Sequence, residues 1–291
     1  MMAVPSPASN QKWRASLGKS SRKHAKIHAI SIFFAATLAA TTITPNPDEP
    51  VEDSDHEREE LGVNPYTTPS IEKIFAQLDQ LGALPFDQLK REPPKSTATN
   101  REQKGLIFGG LIADGFLVVK AERKNAVENL GRVLLEHARA LGVANRVMRH
   151  SASLTELGKR GDWQQMRQEL VTTQADVEQA MVDLRDEKMA HLISLGGWLR
   201  GLEISAGTVE ADFSPQRVKV LAQPDLADYF EAELKTLPPL LMHAPLVEKL
   251  RVGIKKLRVI LRKPPETLNR ADTAAIHLEA RELNDAIRQS E

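Results

Sequence analysis

The amino-acid sequence predicts an all-α protein: an antiparallel helical bundle with a kinked long helix, preceded by a signal segment and a disordered acidic linker. Three observations support this fold class. Apolar residues recur at helical spacing, no convincing segment alternates between apolar and polar residues, and aromatic residues make up only 4% of the chain. A core of Leu, Val, Ile, Ala and Met suits packed helices better than strands, which favour β-branched and aromatic residues.

The first 44 residues carry the pattern of an export signal. Six basic residues and no acidic residue precede position 29, and the fifteen residues 29–43 are uncharged. This order is typical of a secretory signal peptide, and fifteen residues are few for a spanning helix, which needs about 20. We expect residues 1–40 to direct export to the periplasm or the exterior, and then to be removed or kept as an N-terminal anchor. A segment without a targeting role is the remaining alternative.

Residues 41–69 are predicted to form a disordered acidic linker. Eight acidic residues and one arginine fall between Asp48 and Glu60. Such a segment cannot offset the entropy cost of ordering. Removing residues 1–40 leaves 33 basic against 39 acidic residues, a net charge of −6. That charge argues against nucleic acid as a partner, because a nucleic-acid-binding surface needs an excess of basic residues.

Residues 70–291 are predicted to form the helical domain. Its core bundle lies at 101–206, and flanking helices lie within 70–90 and 215–289. A Pro-rich break at 92–100 separates the first flanking unit from the core. Apolar spacing and capping residues predict helices at 71–81, 105–119, 126–141, 145–159, 162–203, 225–235, 245–262 and 271–288.

The longest predicted helix begins after Asp162, a good N-cap with Gln165 three residues later. Eight positions from Trp163 to Glu187, spaced alternately three and four apart, include six apolar residues. This spacing indicates the seam of a bundle or of a short coiled coil. An unbroken helix to Glu203 would be about 60 Å long at 1.5 Å per residue, so we expect a kink before that residue.

Two apolar segments are marked by glycine pairs: residues 105–116 (GLIFGGLIADGF) and 192–207 (LISLGGWLRGLEISAG). Glycine in a helix interior costs about 1 kcal/mol relative to alanine, so these positions need a reason. Close packing of two core helices is the interpretation we favour, and a kink or loop at each pair, or a ligand or membrane role, are the alternatives. The candidate helix-packing residues are Gly105, Gly109, Gly110, Gly197 and Gly201.

No catalytic, cofactor-binding or metal-binding residues are assigned, because none of the corresponding motifs occurs. The chain has no cysteine, which excludes disulfides, thiolate metal sites and thiol nucleophiles. No G-x-S-x-G elbow is present, and the six histidines that follow residue 40 form no H-x-x-x-H pair. Asp114 is the one acid inside a strongly apolar run. Arg200, in the other glycine-marked segment, is suggested as its partner. The candidate polar residues are Asp114, His137, His191 and Arg200.

The segment 245–263 is predicted to be a basic amphipathic helix. It carries seven basic residues and one acid, Glu248, beside an apolar stripe. Such a helix can lie on an anionic membrane or contact an acidic protein partner. The alternative is a core helix with a solvated basic face, which docks the chain's own acidic linker. The candidate interaction face comprises Lys249, Lys255, Lys256, Arg258 and Arg262.

These observations favour an exported, non-catalytic helical protein that acts in binding or assembly at the cell envelope. Two alternatives stay open. One is a small-ligand or metal-binding protein, or an enzyme, with a site assembled across helices. The other is peripheral membrane association through 245–263. No cofactor is implied, and a homo-oligomer is compatible with the sequence.

Overall fold

The computed structural model describes residues 71–94 and 100–289. These residues form eleven α-helices, two short 3-10 helices and no β-strand, which confirms the predicted all-α class. The expected signal segment and acidic linker lie outside the described residues. The α-helices are α1 (Ile71–Gln80), α2 (Phe86–Leu89), α3 (Arg101–Lys120), α4 (Lys124–Leu141), α5 (Ala144–Arg160), α6 (Trp163–Asp183), α7 (Glu187–Ala211), α8 (Pro224–Lys235), α9 (Pro239–Met242), α10 (Pro245–Leu261) and α11 (Arg270–Arg288).

Several helix ends fall at the capping residues that the sequence predicts. Gly142 and Gly161 end α4 and α5 with left-handed φ angles of 83° and 70°, which glycine adopts without steric cost. The Asp162 side chain accepts a hydrogen bond from the backbone N–H of Gln165 and so caps α6, as expected. Helix boundaries in this part of the bundle are therefore set by local chemistry.

The bend expected in the long helix is a complete break. Residues 184–186 leave the helix, and Arg185 adopts a φ of 57°, which is uncommon for a residue other than glycine. The chain then reverses, so that α7 runs back along α6. The Ser194 hydroxyl of α7 accordingly donates to Glu178 Oε1 of α6 at 2.7 Å. The break lets α6 and α7 pack against each other.

Helix α7 is the centre of the bundle. Every residue from Leu192 to Val209 is buried, and α3, α6, α8 and α11 all pack against this helix. It is buried around its whole circumference over this range, as expected of a helix enclosed by others, and most of its side chains there are apolar. Within the two described ranges, nevertheless, no helix combines the length and the apolarity that crossing a membrane requires.

Helices α3 and α7 run in the same direction, because consecutive helices from α3 to α7 reverse at each of the four turns. Their contacts advance together along both helices, from the ion pair of Arg101 with Asp186 to that of Asp114 with Arg200. Three helices, α4 to α6, separate the two in the chain. This arrangement brings the two glycine-marked segments side by side.

Candidate functional site

The two glycine-marked segments meet where α3 crosses α7, and both helices run through their glycine pairs unbroken. A Cβ on Gly109 would lie 1.8 Å from the carbonyl oxygen of Ile193, and one on Gly196 would lie 2.0 Å from the carbonyl oxygen of Leu106. No side chain fits at either position, since the opposing atoms belong to the backbone. The two helix backbones are therefore in direct contact at this crossing.

The five candidate glycines differ in their surroundings. A Cβ on Gly105 would meet a flexible methionine side chain at 2.4 Å, whereas one on Gly110 would meet nothing closer than 3.9 Å. The amide nitrogen of Gly197 faces Gly109, and the buried Gly201 accepts a hydrogen bond through its carbonyl oxygen from a serine one turn later. Gly196, which was not among the candidates, is as tightly enclosed as Gly109. The enclosure of Gly196 depends on how α3 and α7 are aligned, and this alignment cannot be derived from sequence spacing.

Beyond the crossing, Asp114 and Arg200 form the ion pair that the sequence suggested. Arg200 Nε donates to Asp114 Oδ1 at 2.7 Å, and Arg200 is only 1% exposed. Arg200 Nη2 also donates to the carbonyl oxygen of Leu89 at 2.5 Å, which attaches the end of α2 to the bundle. Burial acts to lower the pKa of Arg200, but the carboxylates of Asp114 and Glu203 outweigh it and raise that pKa.

Glu203 extends this pair into a network that sequence reasoning missed. Glu203 Oε1 accepts from Arg91 Nη2 at 2.5 Å, and Glu203 Oε2 accepts from the Asn284 side chain at 3.0 Å and lies 3.1 Å from Arg200 Nη1. Arg200 and Glu203 are one helical turn apart in an apolar run, which is a signal that the sequence does offer. Arg91 and Asn284 are distant in the chain and have no such signal.

Arg91 and Arg200 each have a buried Nη1 without a hydrogen-bond partner among the described residues, although Arg200 Nη1 lies within ion-pair distance of Glu203. Burial lowers the pKa of Arg91, and the nearby carboxylate of Glu203 opposes that shift. Arg91 Nη1 is buried and has no hydrogen-bond partner among the described residues. A buried donor of this kind is uncommon, because leaving it unsatisfied costs about 1–3 kcal/mol.

A cleft of about 320 Å³ lies beside the network, between residues 86–93, α3 and α4. This volume is at the lower end of the range for small-molecule sites, about 300–1,000 Å³. Arg91 and Asp114 belong both to the network and to the cleft wall. In the same wall, the Arg123 guanidinium lies 4.9 Å from the centroid of the Phe86 ring. The apolar part of the wall consists of Phe86, Pro93, Leu111, Leu117, Val118, Ala126, Leu130 and Val133.

The two candidate histidines lie apart from this cleft. His191 Nδ1 is hydrogen-bonded to the Tyr229 hydroxyl, and His191 Nε2 lies 3.5 Å from Glu233 Oε2. Burial lowers the pKa of His191 despite Glu233, and burial likewise lowers the pKa of His137, whose Nδ1 has no partner among the described residues. The four polar candidates thus occupy three separate places, and only Asp114 and Arg200 are together.

The proposed basic face of α10 is partly used inside the fold. Arg258 pairs with Asp228 and Glu231 of α8, and Arg262 Nη2 lies 2.5 Å from Asp228 Oδ2. Lys256 pairs with a glutamate of α11 at 3.0 Å. Lys249 and Lys255 are exposed and form no ion pair in the described ranges. The face therefore consists of a paired inner part and an unpaired outer part.

The chain matches no protein-family model, no curated protein and no solved structure. In the part of the chain that the structure describes, no three His, Asp or Glu side chains are grouped so as to hold a metal ion. What the cleft offers is an apolar wall, one buried donor without an acceptor, and Asp114 already paired with Arg200.

Proposed function

We propose that this chain is a non-catalytic binding protein that acts at the cell envelope after export, and that the cleft between α3 and α4 is its ligand site. The observation that carries this proposal is that Arg91 lines this largely apolar cleft and has a buried Nη1 without a hydrogen-bond partner among the described residues. A ligand oxygen would satisfy this donor, and the apolar wall would enclose the rest of the molecule. The ligand class is a small, largely apolar molecule with a carboxylate or similar acceptor.

The surroundings of the ionisable groups favour binding over catalysis. A general acid or base must lie within hydrogen-bond reach of its substrate. Asp114, the candidate acid at the cleft, is held by Arg200, and neither His137 nor His191 lines the cleft. These contacts support a site that positions a ligand and leaves it chemically unchanged.

Binding of the fluorescent probe 8-anilinonaphthalene-1-sulfonate tests the cleft. Its sulfonate supplies the acceptor and its rings supply the apolar body. We expect one saturable site in the unmodified protein. Arg91→Met should weaken binding about tenfold or more, because a hydrogen bond to a charged group contributes about 1.5–3 kcal/mol. Asn129→Trp, at an exposed position of the cleft wall, should block binding by filling the space.

Arg139→Met is the matched control for the probe experiment. Arg139 is an exposed arginine of α4 outside the cleft. Its replacement should leave the affinity unchanged. Near-ultraviolet circular dichroism of each variant separates site binding from binding to a loosened core. Affinity that stays unchanged in both Arg91→Met and Asn129→Trp would remove the cleft from the proposal.

Export is the second part of the proposal and rests on the sequence of residues 1–43. Expressed in a bacterial host, the full chain should be recovered from the periplasm with a new N terminus after Ala39 or Ala40. Replacing Lys19, Arg22, Lys23 and Lys26 with serine should retain the protein in the cytoplasm, because the basic block orients the signal. Recovery of the unmodified chain from the cytoplasm with an intact N terminus would contradict export.

A further inference from the structure

The outer surface of α10 combines positive charge with exposed apolar side chains. Val252 and Val259 are 52% and 69% exposed, and Lys255 and Lys256 lie between them. These positions are three and four residues apart, so they share one side of the helix. Together with Arg258 and Arg262 they line a shallow basin of about 500 Å³. We call this surface the α10 face; it comprises Lys249, Val252, Lys255, Lys256, Val259 and Arg262.

The charge on the α10 face is not fully balanced within the fold. Acidic residues of α8 and α11 pair with Lys256, Arg258 and Arg262. Lys249 and Lys255, together with the neighbouring Arg251, form no ion pair in the described ranges. An occupant of this surface should therefore be acidic and should tolerate contact with valine side chains.

We propose that residues 52–60 of the same chain dock on the α10 face. This segment, which lies outside the described residues, contains six acidic residues and one arginine. Residues 61–291 contain 32 basic and 31 acidic residues, so the negative charge of the exported chain is concentrated before them. The acidic segment and the α10 face are thus complementary in sign.

Chain length allows this contact. Residues 61–70 separate the segment from α1. At full extension the step from Glu60 to Ile71 spans up to about 37 Å, at about 3.3–3.6 Å per residue. A domain of this size has a radius of gyration of about 17 Å. A covalently attached segment also acts at a millimolar effective concentration, which a separate acidic protein or an anionic membrane must exceed to displace it.

Carbodiimide cross-linking of the full chain tests this contact, because the reagent joins a carboxylate to an amine only where the two touch. At low ionic strength we expect links from residues 52–60 to Lys249 and Lys255, identified by mass spectrometry. Their yield should fall several-fold in 1 M salt, where the screening length is about 3 Å. Arg251→Glu/Lys256→Glu should also lower the yield several-fold, since it reverses the local charge and leaves both acceptor lysines in place.

Lys124→Glu/Lys219→Glu is the matched control, at two exposed lysines outside the α10 face. It should leave the yield of links to Lys249 and Lys255 unchanged. Equal linking of residues 52–60 to Lys124, Lys219 and the α10 face in the unmodified chain would overturn the proposal. Links found only between copies would assign the face to a second molecule. Loss of the links on adding phosphatidylglycerol vesicles would assign it to a membrane.

Discussion

Replacing Gly109 with alanine is expected to lower the free energy of unfolding by about 4 kcal/mol or more, in the range of the most damaging single substitutions. The new Cβ would lie 1.8 Å from the carbonyl oxygen of Ile193 and 2.7 Å from the amide nitrogen of Gly197. Both atoms belong to the backbone of α7, so neither can rotate away. Relief requires α3 to move off α7, which would open the apolar core between them. Urea unfolding followed by circular dichroism measures the loss.

Gly110→Ala is the matched control, because the two glycines are adjacent on α3. A Cβ on Gly110 would meet its nearest atoms at 3.9 Å, which is ordinary van der Waals contact. Alanine favours a helix over glycine by about 1 kcal/mol, so this variant should be as stable as the unmodified protein or slightly more stable. Equal losses in both variants would mean that general loss of glycine, and not the backbone crossing, is responsible.

Replacing Arg200 with methionine is expected to cost about 3–5 kcal/mol, the usual effect of removing one partner from a buried ion pair. Asp114 would lose its closest cation. Glu203, whose side chain is only 5% exposed, would keep Arg91 as its one remaining cationic partner among the described residues. The carbonyl oxygen of Leu89 would also lose its donor. The same urea titration measures this change in the free energy of unfolding.

The comparison for Arg200 is Arg132→Met, which breaks an exposed ion pair. Arg132 and Glu136 have side chains that are 66% and 52% exposed, and such pairs contribute about 0.5 kcal/mol or less. Adding Asp114→Asn to Arg200→Met should recover part of the loss, because it removes the carboxylate that was left without its cation. A cost for Arg200→Met as small as that for Arg132→Met would show that the buried network does not stabilise the fold.

The sequence predicted the features that depend on neighbouring residues. The helices predicted at 225–235, 245–262 and 271–288 are observed at Pro224–Lys235, Pro245–Leu261 and Arg270–Arg288. Helical spacing, glycine at helix ends and side-chain caps are all local signals. The partnership of Asp114 with Arg200 could also be suggested, because each is a charged residue within one of the two glycine-marked segments.

The remaining features depend on how helices that are distant in the chain are aligned. The enclosure of Gly196, and the open space at Gly110, follow from the alignment of α3 with α7, and no local pattern encodes it. Arg91 lies directly before the Pro-rich break at 92–100 and outside any helical pattern, so nothing in the sequence placed it beside Glu203. The cleft, which residues 86–93 form with α3 and α4, was for the same reason invisible before the fold was known.

The crossing of α3 and α7 also has a consequence for how the chain reaches its native state. Gly109 and Ile193 are 84 positions apart, so their contact closes a long loop that contains α4, α5 and α6. The entropy cost of closing a loop grows only slowly with its length, and the intervening helices form mostly local contacts that bring the ends together. This backbone contact between α3 and α7 therefore depends on three helices that take no part in it. A change in the lengths of α4, α5 or α6 would shift α3 relative to α7 and so place a side chain where only glycine fits.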